Sequence, residues 1–439
     1  MRSERRWLCI LVGVLTAACP LPGQIRVRDG ASDTLPADGS ADTADSADVV
    51  GLDVFDAPDV ARDVVDASDA VDAVDAADIV DTGPPPTPYH QIVGGNLHTC
   101  VLRRADGVPY CWGGNSSGQL GDGSTTGRLM PGPVTIALTA TDLAAGAHFA
   151  CAGSSTSIFC WGANDRGQLG IGTASTAEAT PVRQTAASLG GTVGGNAHAC
   201  QLRAGSPPAC WGFNLVGQLG DGSTTNRLSR VNVVTGPTFE TMNVGSDTTC
   251  ATTAANLVYC WGYCQSNNCG SASGNLPTPT LVGGISDAVE LAVGNGFTCA
   301  RRTGGTVSCW GDNAEGQLGR SGVTTSLTPT DVPGVANVVQ VVAGARHACA
   351  RHMDGTVSCW GANTLGQLAV PAMAPDFRAS AAAVSGVSNA VEIGAAQNHT
   401  CAIRATGQIL CWGSNSDGQL GDSLPAIRSA GPVMVLGLP

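Results

Sequence analysis

The sequence predicts an all-β protein: a seven-bladed β-propeller over residues 89–439, with four short antiparallel strands in each blade. Three observations support this fold. The tripeptide Cys-Trp-Gly occurs seven times, at successive spacings of 49, 50, 50, 49, 50 and 52 residues. Glycine makes up 59 of the 439 residues, nearly twice its usual share of roughly 7%. No long segment carries the apolar period of an amphipathic helix. Short apolar runs between Gly-rich turns, repeated at a fixed period, are typical of a propeller.

One unit illustrates the predicted blade. Residues 288–293 alternate large apolar side chains with mostly small ones, which predicts a strand with one bulky and one thin face. Residues 297–302 and 306–310 are predicted to form a hairpin around Gly304-Gly305. Residues 328–335 supply a fourth strand, expected at the sheet edge because proline cannot donate to a ladder.

The cysteines predict one disulfide in each blade. A second cysteine stands nine to eleven residues before each Cys-Trp-Gly, where the two strands of a hairpin bring opposed residues within bonding distance. The predicted pairs are Cys100–Cys111, Cys151–Cys160, Cys200–Cys210, Cys250–Cys260, Cys299–Cys309, Cys349–Cys359 and Cys401–Cys411, with Cys264–Cys269 as an eighth. Zinc is the competing interpretation, but no Cys-x-x-Cys or close Cys/His cluster recurs with ligand spacing. Disulfides indicate an oxidising compartment.

Residues 1–19 have the pattern of an export signal. Three arginines precede a ten-residue apolar run that is too short to span a membrane. Ala17-Ala18-Cys19 resembles the lipobox of bacterial lipoproteins, in which the cysteine is lipidated, although Thr16 stands where an aliphatic residue is preferred. We therefore expect lipidation of Cys19, with a plain cleaved secretory signal as the alternative.

Residues 20–88 are predicted to be a disordered acidic linker. Residues 29–81 hold 16 aspartates against one arginine, mostly in an Asp-x-x-Asp pattern, and this acidic density opposes collapse. A calcium-binding ladder is the alternative, but tight calcium loops place their ligands at alternate positions. Residues 89–439 are nearly neutral, with 16 arginines against 18 acidic residues, so a nucleic-acid partner is not expected.

The repeat resembles a known family, the regulator of chromosome condensation repeats, whose members are seven-bladed propellers. The shared pattern is Gly-x-x-His, a Trp-Gly pair and Asn-x-x-Gly-Gln-Leu-Gly, present here as Gly344–His347, Trp310-Gly311 and Asn313–Gly319. The resemblance covers residues 89–439 and implies the fold. It does not imply one activity, since members include an exchange factor for a small GTPase, ubiquitin ligase parts and a secreted inhibitor of β-lactamases.

The repeated aromatic and histidine residues are interpreted as structural. A tryptophan recurs once in every blade, which favours packing between blades over ligand stacking. The histidine two residues before the first cysteine is replaced by Thr248 or Phe297 in other units, which indicates a hydrogen-bonded scaffold residue and not a catalytic base. The sequence contains no recognisable nucleophile elbow or phosphate loop. We therefore predict no catalytic residues, no metal site and no cofactor.

Binding is expected where a repeat departs from the common pattern. In the fourth unit, Tyr263–Gly270 stands in place of Gly-Gln-Leu-Gly, and the sixth unit continues into Pro371 and Met373. The candidate binding residues are Tyr263, Gln265, Asn267 and Asn268 in the fourth unit, and Met373 and Phe377 in the sixth.

Taken together, the sequence predicts a monomeric interaction module that is not an enzyme and that binds an unidentified envelope or extracellular protein. Its expected location is the outer membrane or cell surface, held only by an N-terminal lipid, or otherwise the periplasm or exterior. Two alternatives stay open. One is nucleotide exchange on a small GTPase, and the other is a hydrolase or lyase of envelope polymers with a site built from loops.

Overall fold

Twenty-eight strands form seven four-stranded antiparallel sheets in the computed structural model. The model describes residues 87–184, 191–203, 205–234, 236–270, 272–370, 376–424 and 426–439. Each sheet is built from four consecutive strands, so each sequence repeat is one blade. The predicted seven-bladed propeller is therefore confirmed. Within the described residues there is no helix of the length and apolar character needed to cross a membrane.

The strands of blades 1 to 4 are as follows. Blade 1 contains β1 (Tyr89–Gly94), β2 (His98–Arg103), β3 (Pro109–Gly113) and β4 (Arg128–Pro133). Blade 2 contains β5 (Asp142–Ala145), β6 (Phe149–Gly153), β7 (Ile158–Asn164) and β8 (Ser175–Arg183). Blade 3 contains β9 (Thr192–Gly194), β10 (His198–Arg203), β11 (Ser206–Gly212) and β12 (Arg227–Asn232). Blade 4 contains β13 (Phe239–Val244), β14 (Thr248–Thr253), β15 (Val258–Tyr263) and β16 (Asn275–Leu281).

Blades 5 to 7 follow the same order. Blade 5 contains β17 (Ala288–Val293), β18 (Phe297–Arg302), β19 (Val307–Asp312) and β20 (Thr325–Asp331). Blade 6 contains β21 (Val338–Ala343), β22 (His347–His352), β23 (Val357–Ala362) and β24 (Phe377–Ala383). Blade 7 contains β25 (Ala390–Ala395), β26 (His399–Arg404), β27 (Ile409–Ser414) and β28 (Arg428–Met434).

In the fifth unit the first two strands match their predicted bounds, the third spans Val307–Asp312 and not 306–310, and the fourth is displaced. It spans Thr325–Asp331 and not 328–335, because Val332 and Val335 turn into the core between blades. The proline alone could not place the strand start, since Thr325 enters the ladder opposite Asp312, three residues before the predicted beginning.

All eight predicted disulfides are present. In each blade the two cysteines are directly opposed on the second and third strands, as Cys299 and Cys309 are, with Cα atoms 4.1 Å apart. The disulfide of every blade is at most 1% exposed. Each bridge therefore fixes the central hairpin of its blade inside the core.

Glycine follows the blade tryptophan for a steric reason. Gly311 has φ of 106°, in the region that favours glycine, and an added Cβ would lie 2.4 Å from the Gly296 carbonyl oxygen. The corresponding glycine of all seven Trp-Gly pairs has positive φ. At this glycine the third strand passes close to the turn that connects the first two strands, so there is no room for a side chain.

Candidate functional site

The repeated tryptophans join neighbouring blades. All seven are completely buried. Six donate the indole N–H to a backbone carbonyl of the preceding blade, and in Trp161 this bond reaches Gln119 O over 2.9 Å. Trp112 makes the same bond to Gln419 O, 2.9 Å away, and so closes the ring between blades 1 and 7. The structural interpretation of the tryptophans is confirmed.

Three of the scaffold histidines bond a threonine in the next blade. The Nε2–Oγ1 distances are 3.1 Å for His198–Thr249, 2.8 Å for His347–Thr400 and 2.7 Å for His399–Thr99. The Thr99 hydroxyl donates to Gln419 O, so its oxygen accepts a proton from the His399 Nε2–H. Burial lowers the pKa of His198 and His399 to about 3 and that of His347 to about 4. These histidines are neutral scaffold residues.

The residue at the threonine position depends on the residue it faces across the blade junction. In two blades phenylalanine occupies the histidine position, and in both cases the facing residue of the next blade is alanine in place of threonine. The pairs are Phe149 with Ala199 and Phe297 with Ala348, and the two members of each pair lie in one buried apolar cluster. The junction between blades 1 and 2 breaks this rule, because His98 is followed by Ala150. Both ring nitrogens of His98 are consequently buried without a hydrogen-bond partner.

The fourth-unit loop keeps the common conformation, which corrects the expectation that it abandons the scaffold. In blade 1 the Asn115 side chain accepts a hydrogen bond from Leu120 N, five residues later. Cys264 and Cys269 occupy these two positions, and their disulfide, fully buried, takes the place of the hydrogen bond. The turn bonds are retained, since Gly270 N donates to Asn267 O as Gly121 N donates to Gly118 O. The disulfide therefore replaces a scaffold contact.

The structure separates the four candidate residues of this loop. Asn268 occupies the glutamine position of Gly-Gln-Leu-Gly, is completely buried, and accepts the Trp310 indole N–H. The expectation that the loop presents Asn268 is therefore wrong. Gln265 is exposed, and Tyr263 and Asn267 are partly exposed. The Asn267 amide donates to Thr325 Oγ1 in blade 5 over 3.3 Å.

Of the two candidates in the sixth unit, one is described. Phe377 begins β24 and is 45% exposed. Met373 lies outside the described residues.

The inner strands of all seven blades line a central cavity of about 410 Å³. Two charged residues line it, Glu290 and Glu392, and burial raises the pKa of both. Most polar groups here are used to join blades. The Gln91 amide accepts from Leu143 N and donates to Leu143 O, both over 2.8 Å, while Glu290 accepts from Val341 N of blade 6 over 3.2 Å and from Arg301 of its own blade. Among the described residues no three His, Cys, Asp or Glu side chains form a metal site.

Exposed apolar side chains lie on both of the blades that meet where the ring closes, blade 7 and blade 1. Leu424 and Ile427, in the loop before β28, are 60% and 76% exposed, and Leu129 and Met130 on β4 are 37% and 47% exposed. The two blades touch here, because a Cβ added to Gly418 of blade 7 would lie 2.5 Å from Leu129 Cδ2. We call these four residues the junction patch. Exposed apolar side chains on adjoining blades are candidates for an interaction surface, whereas single exposed apolar residues need no such explanation.

The sequence contains a signal for this patch in the loop that follows Gly-Gln-Leu-Gly, which the sequence analysis above did not consider. The equivalent loops of blades 1 and 3 read Gly-Asp-Gly-Ser-Thr-Thr, whereas blade 7 reads Gly-Asp-Ser-Leu-Pro-Ala-Ile. In blades 1 and 3 the Asp122 and Asp221 carboxylates accept from the backbone and hydroxyl of a serine two residues later. In blade 7, Leu424 stands at the serine position. Its backbone N–H still donates to the Asp422 carboxylate, but it has no hydroxyl to make the second bond. The loop turn survives while its surface becomes apolar.

Comparisons with known proteins agree with this architecture. Two models described as "Regulator of chromosome condensation (RCC1) repeat" match, one over residues 106–152 and 304–351, the other over 288–317, 338–367 and 391–419. No curated protein gives a significant match.

Solved structures with less than 25% identity share the fold. Human WBSCR16 is 19% identical, with 75% of this chain and 94% of that chain covered and a TM-score of 0.67. Yeast RCC1 (Prp20), in a structure with Kap60, is 18% identical, with 79% and 86% covered and a TM-score of 0.68. Prp20p from Saccharomyces cerevisiae, described together with its binding to Gsp1p and histones, is 19% identical, with 75% and 85% covered and a TM-score of 0.67. The chain is thus a seven-bladed propeller in which five segments match the models of the regulator of chromosome condensation repeat.

Proposed function

We propose that this protein is an exported propeller, anchored by a lipid on Cys19, that binds a protein partner at the cell envelope or surface. The observation that carries the binding role is the junction patch, four exposed apolar side chains on two adjoining blades, of which Leu424 and Ile427 are 60% and 76% exposed. Propellers with this fold have been crystallised with, or described as binding, other proteins, namely Kap60, Gsp1p and histones. A protein partner therefore fits both the surface and the fold.

The export part of the proposal is supported by the disulfides. Each of the seven blades carries a buried disulfide between directly opposed cysteines. Such bonds persist in oxidising compartments and are rare in the cytosol. The alternative, nucleotide exchange on a small GTPase, would place these cysteines in a reducing cytoplasm, and we do not favour it.

The binding role is tested by changing the junction patch in the full-length chain. The double substitution Leu424→Ser and Ile427→Ser should reduce capture of the partner from envelope extracts by more than tenfold, since apolar anchors at an interface centre are typically worth about 2 kcal/mol or more. The matched control is Val323→Ser with Leu327→Ser, two side chains of blade 5 that are 42% and 53% exposed. The control should capture the partner normally, and neither variant should change the melting temperature, because surface substitutions alter stability little.

Equal capture by the patch variant and the control variant would contradict the patch. The fourth-unit loop would then be tested through Tyr263→Ala with Gln265→Ala. Asn268 is left unchanged in this design, because its buried position makes any substitution a test of folding.

A further inference from the structure

The fourth strand of each blade is an exposed sheet edge. Its outward N–H and C=O groups form a template for pairing with another strand, and natural proteins block such edges with proline, charge or cover. The seven outer strands are β4, β8, β12, β16, β20, β24 and β28, all within the described residues. Because the blades repeat, the protection of one edge can be compared with that of six others.

The register identifies the residue whose N–H points outward. In blade 6, Ala382 is opposite Cys359, and Val384 N donates to Val357 O over 2.8 Å. Ala382 and Val384 therefore face the sheet, and the alternate residue Ala381 turns its N–H toward solvent. In every blade, the second cysteine of the disulfide lies opposite one residue of the fourth strand. The residue immediately before that one on the fourth strand is the equivalent of Ala381. In chain order these residues are Pro131, Pro181, Arg230, Pro279, Pro329, Ala381 and Pro432.

Proline thus removes this outward donor in five blades, and in blade 3 the position is held by a charged residue, Arg230. The Arg230 guanidinium lies over the Trp211 ring, 5.3 Å from its centroid, and donates to Gln184 Oε1 of blade 2. The preceding loop also covers β12, since Gly172 N donates to Leu228 O.

Blade 6 has none of these devices. Its outer strand, Phe-Arg-Ala-Ser-Ala-Ala-Ala, has no proline and one charge, at Arg378. Ala381 packs on the cluster around Trp360 and leaves its N–H free to pair. The loop of blade 5 touches Ala379 through Gly316, but among the described residues it donates no backbone hydrogen bond to β24. Among the described residues, β24 is thus the outer strand that has neither a proline nor a backbone hydrogen bond from the neighbouring blade.

We propose that β24 pairs with β24 of a second copy of this chain, so that two four-stranded sheets join edge to edge about a two-fold axis. A second copy is the occupant that the structure itself supplies, since pairing requires another open edge and β24 is such an edge. In an antiparallel pair centred on Ala381, the outward N–H of Ala381 in each copy donates to the Ala381 carbonyl oxygen of the other copy. Arg378 then lies opposite Val384 of the other copy, so the two Arg378 side chains do not face and repel each other. The small alanine side chains let the two sheets approach.

This self-association is independent of the junction patch and departs from the expectation of a monomer. A single strand pair buries less than the roughly 1,000 Å² of a stable interface, so we expect a reversible, concentration-dependent dimer. Raising the local concentration, as tethering to a membrane does, would favour it.

Sedimentation of the full-length chain over a range of concentrations tests the proposal. Wild type should form a reversible dimer, and Ala381→Pro should weaken dimerisation at least tenfold. The fold should tolerate this proline, which stands at the equivalent position of five other blades, so the melting temperature should not fall. Ala381→Ser retains the N–H and should dimerise as wild type does. Hydrogen exchange of the β24 amides should slow as the dimer forms.

Three results would overturn the proposal. They are a wild-type chain that stays monomeric at every concentration, an Ala381→Pro variant that dimerises normally, and a dimer in which exchange of the β24 amides is unchanged. None of these results depends on the junction patch, so they leave the proposed partner binding unaffected.

Discussion

The mismatch between His98 and Ala150 makes a testable prediction about blade junctions. At three other junctions a histidine Nε2 lies 2.7 to 3.1 Å from a threonine Oγ1 of the next blade. Ala150→Thr should create the same contact at the junction of blades 1 and 2. The new hydroxyl should donate to Gln119 O, as Thr249 donates to Gln218 O, and accept from His98.

The expected gain follows from the state of His98. Its ring is completely buried and both nitrogens lack partners, and leaving such a group unpaired costs about 1–3 kcal/mol. Supplying one partner should therefore increase the free energy of unfolding by about 1 kcal/mol, the usual net value of a hydrogen bond. His98→Phe should also be stabilising, because phenylalanine facing alanine is the combination found at two other junctions.

The assay is denaturant unfolding with the disulfides intact, followed by tryptophan fluorescence. Thr400→Ala provides the opposite change, because it leaves His347 Nε2 without its hydrogen-bond partner, and should lower the free energy of unfolding by about 1–3 kcal/mol. Adding His347→Phe to Thr400→Ala should recover most of that loss. A destabilised Ala150→Thr variant, or a double variant no better than Thr400→Ala alone, would refute the pairing rule.

Three further predictions concern acid, the extra disulfide and the anchor. The four scaffold histidines have folded pKa values of about 3 to 4, below the unfolded value of 6.5. The unfolded chain therefore binds more protons between these values, so stability should be complete above about pH 6.5 and should fall by up to about 1.4 kcal/mol per pH unit for each histidine on acidification. Melting curves at successive pH values would measure this, and a flat profile from pH 7 to 5 would contradict it. Cys264→Asn with Cys269→Leu restores the pattern of the other blades and should cost no more than about 2 kcal/mol, whereas alanine at both positions should cost more in the same unfolding assay. Cys19→Ala should move the protein from the membrane fraction to the soluble fraction, and an unchanged distribution would leave only a plain secretory signal.

The sequence alone determined the number of blades and the pairing of the cysteines. Both follow from spacing along the chain, because each blade is one repeat and each disulfide closes one hairpin. Repetition also showed that the tryptophans are structural, since a ligand site would not be repeated seven times. The strands of the fifth unit could be located for the same reason, apart from the exact bounds of the third and fourth strands.

Contacts between blades were decided only by the tertiary structure. His399 and Thr99 are 300 residues apart, and no local pattern indicates that they touch. The fourth-unit loop shows the same limit. Its sequence departs from Gly-Gln-Leu-Gly, yet Cys264 and Cys269 occupy the asparagine and leucine positions, so Asn268 faces the core.

The two surfaces proposed for binding also required the structure. The junction patch combines residues near both ends of the propeller, which become neighbours only when the ring closes between blades 7 and 1. The open edge of β24 depends on which way the Ala381 N–H points, and this is set by the bulged register of the third and fourth strands. Periodicity along the chain specifies what each repeat forms. Which side chains and backbone groups reach solvent is specified by how the repeats pack, because exposure depends on neighbours that are distant in sequence.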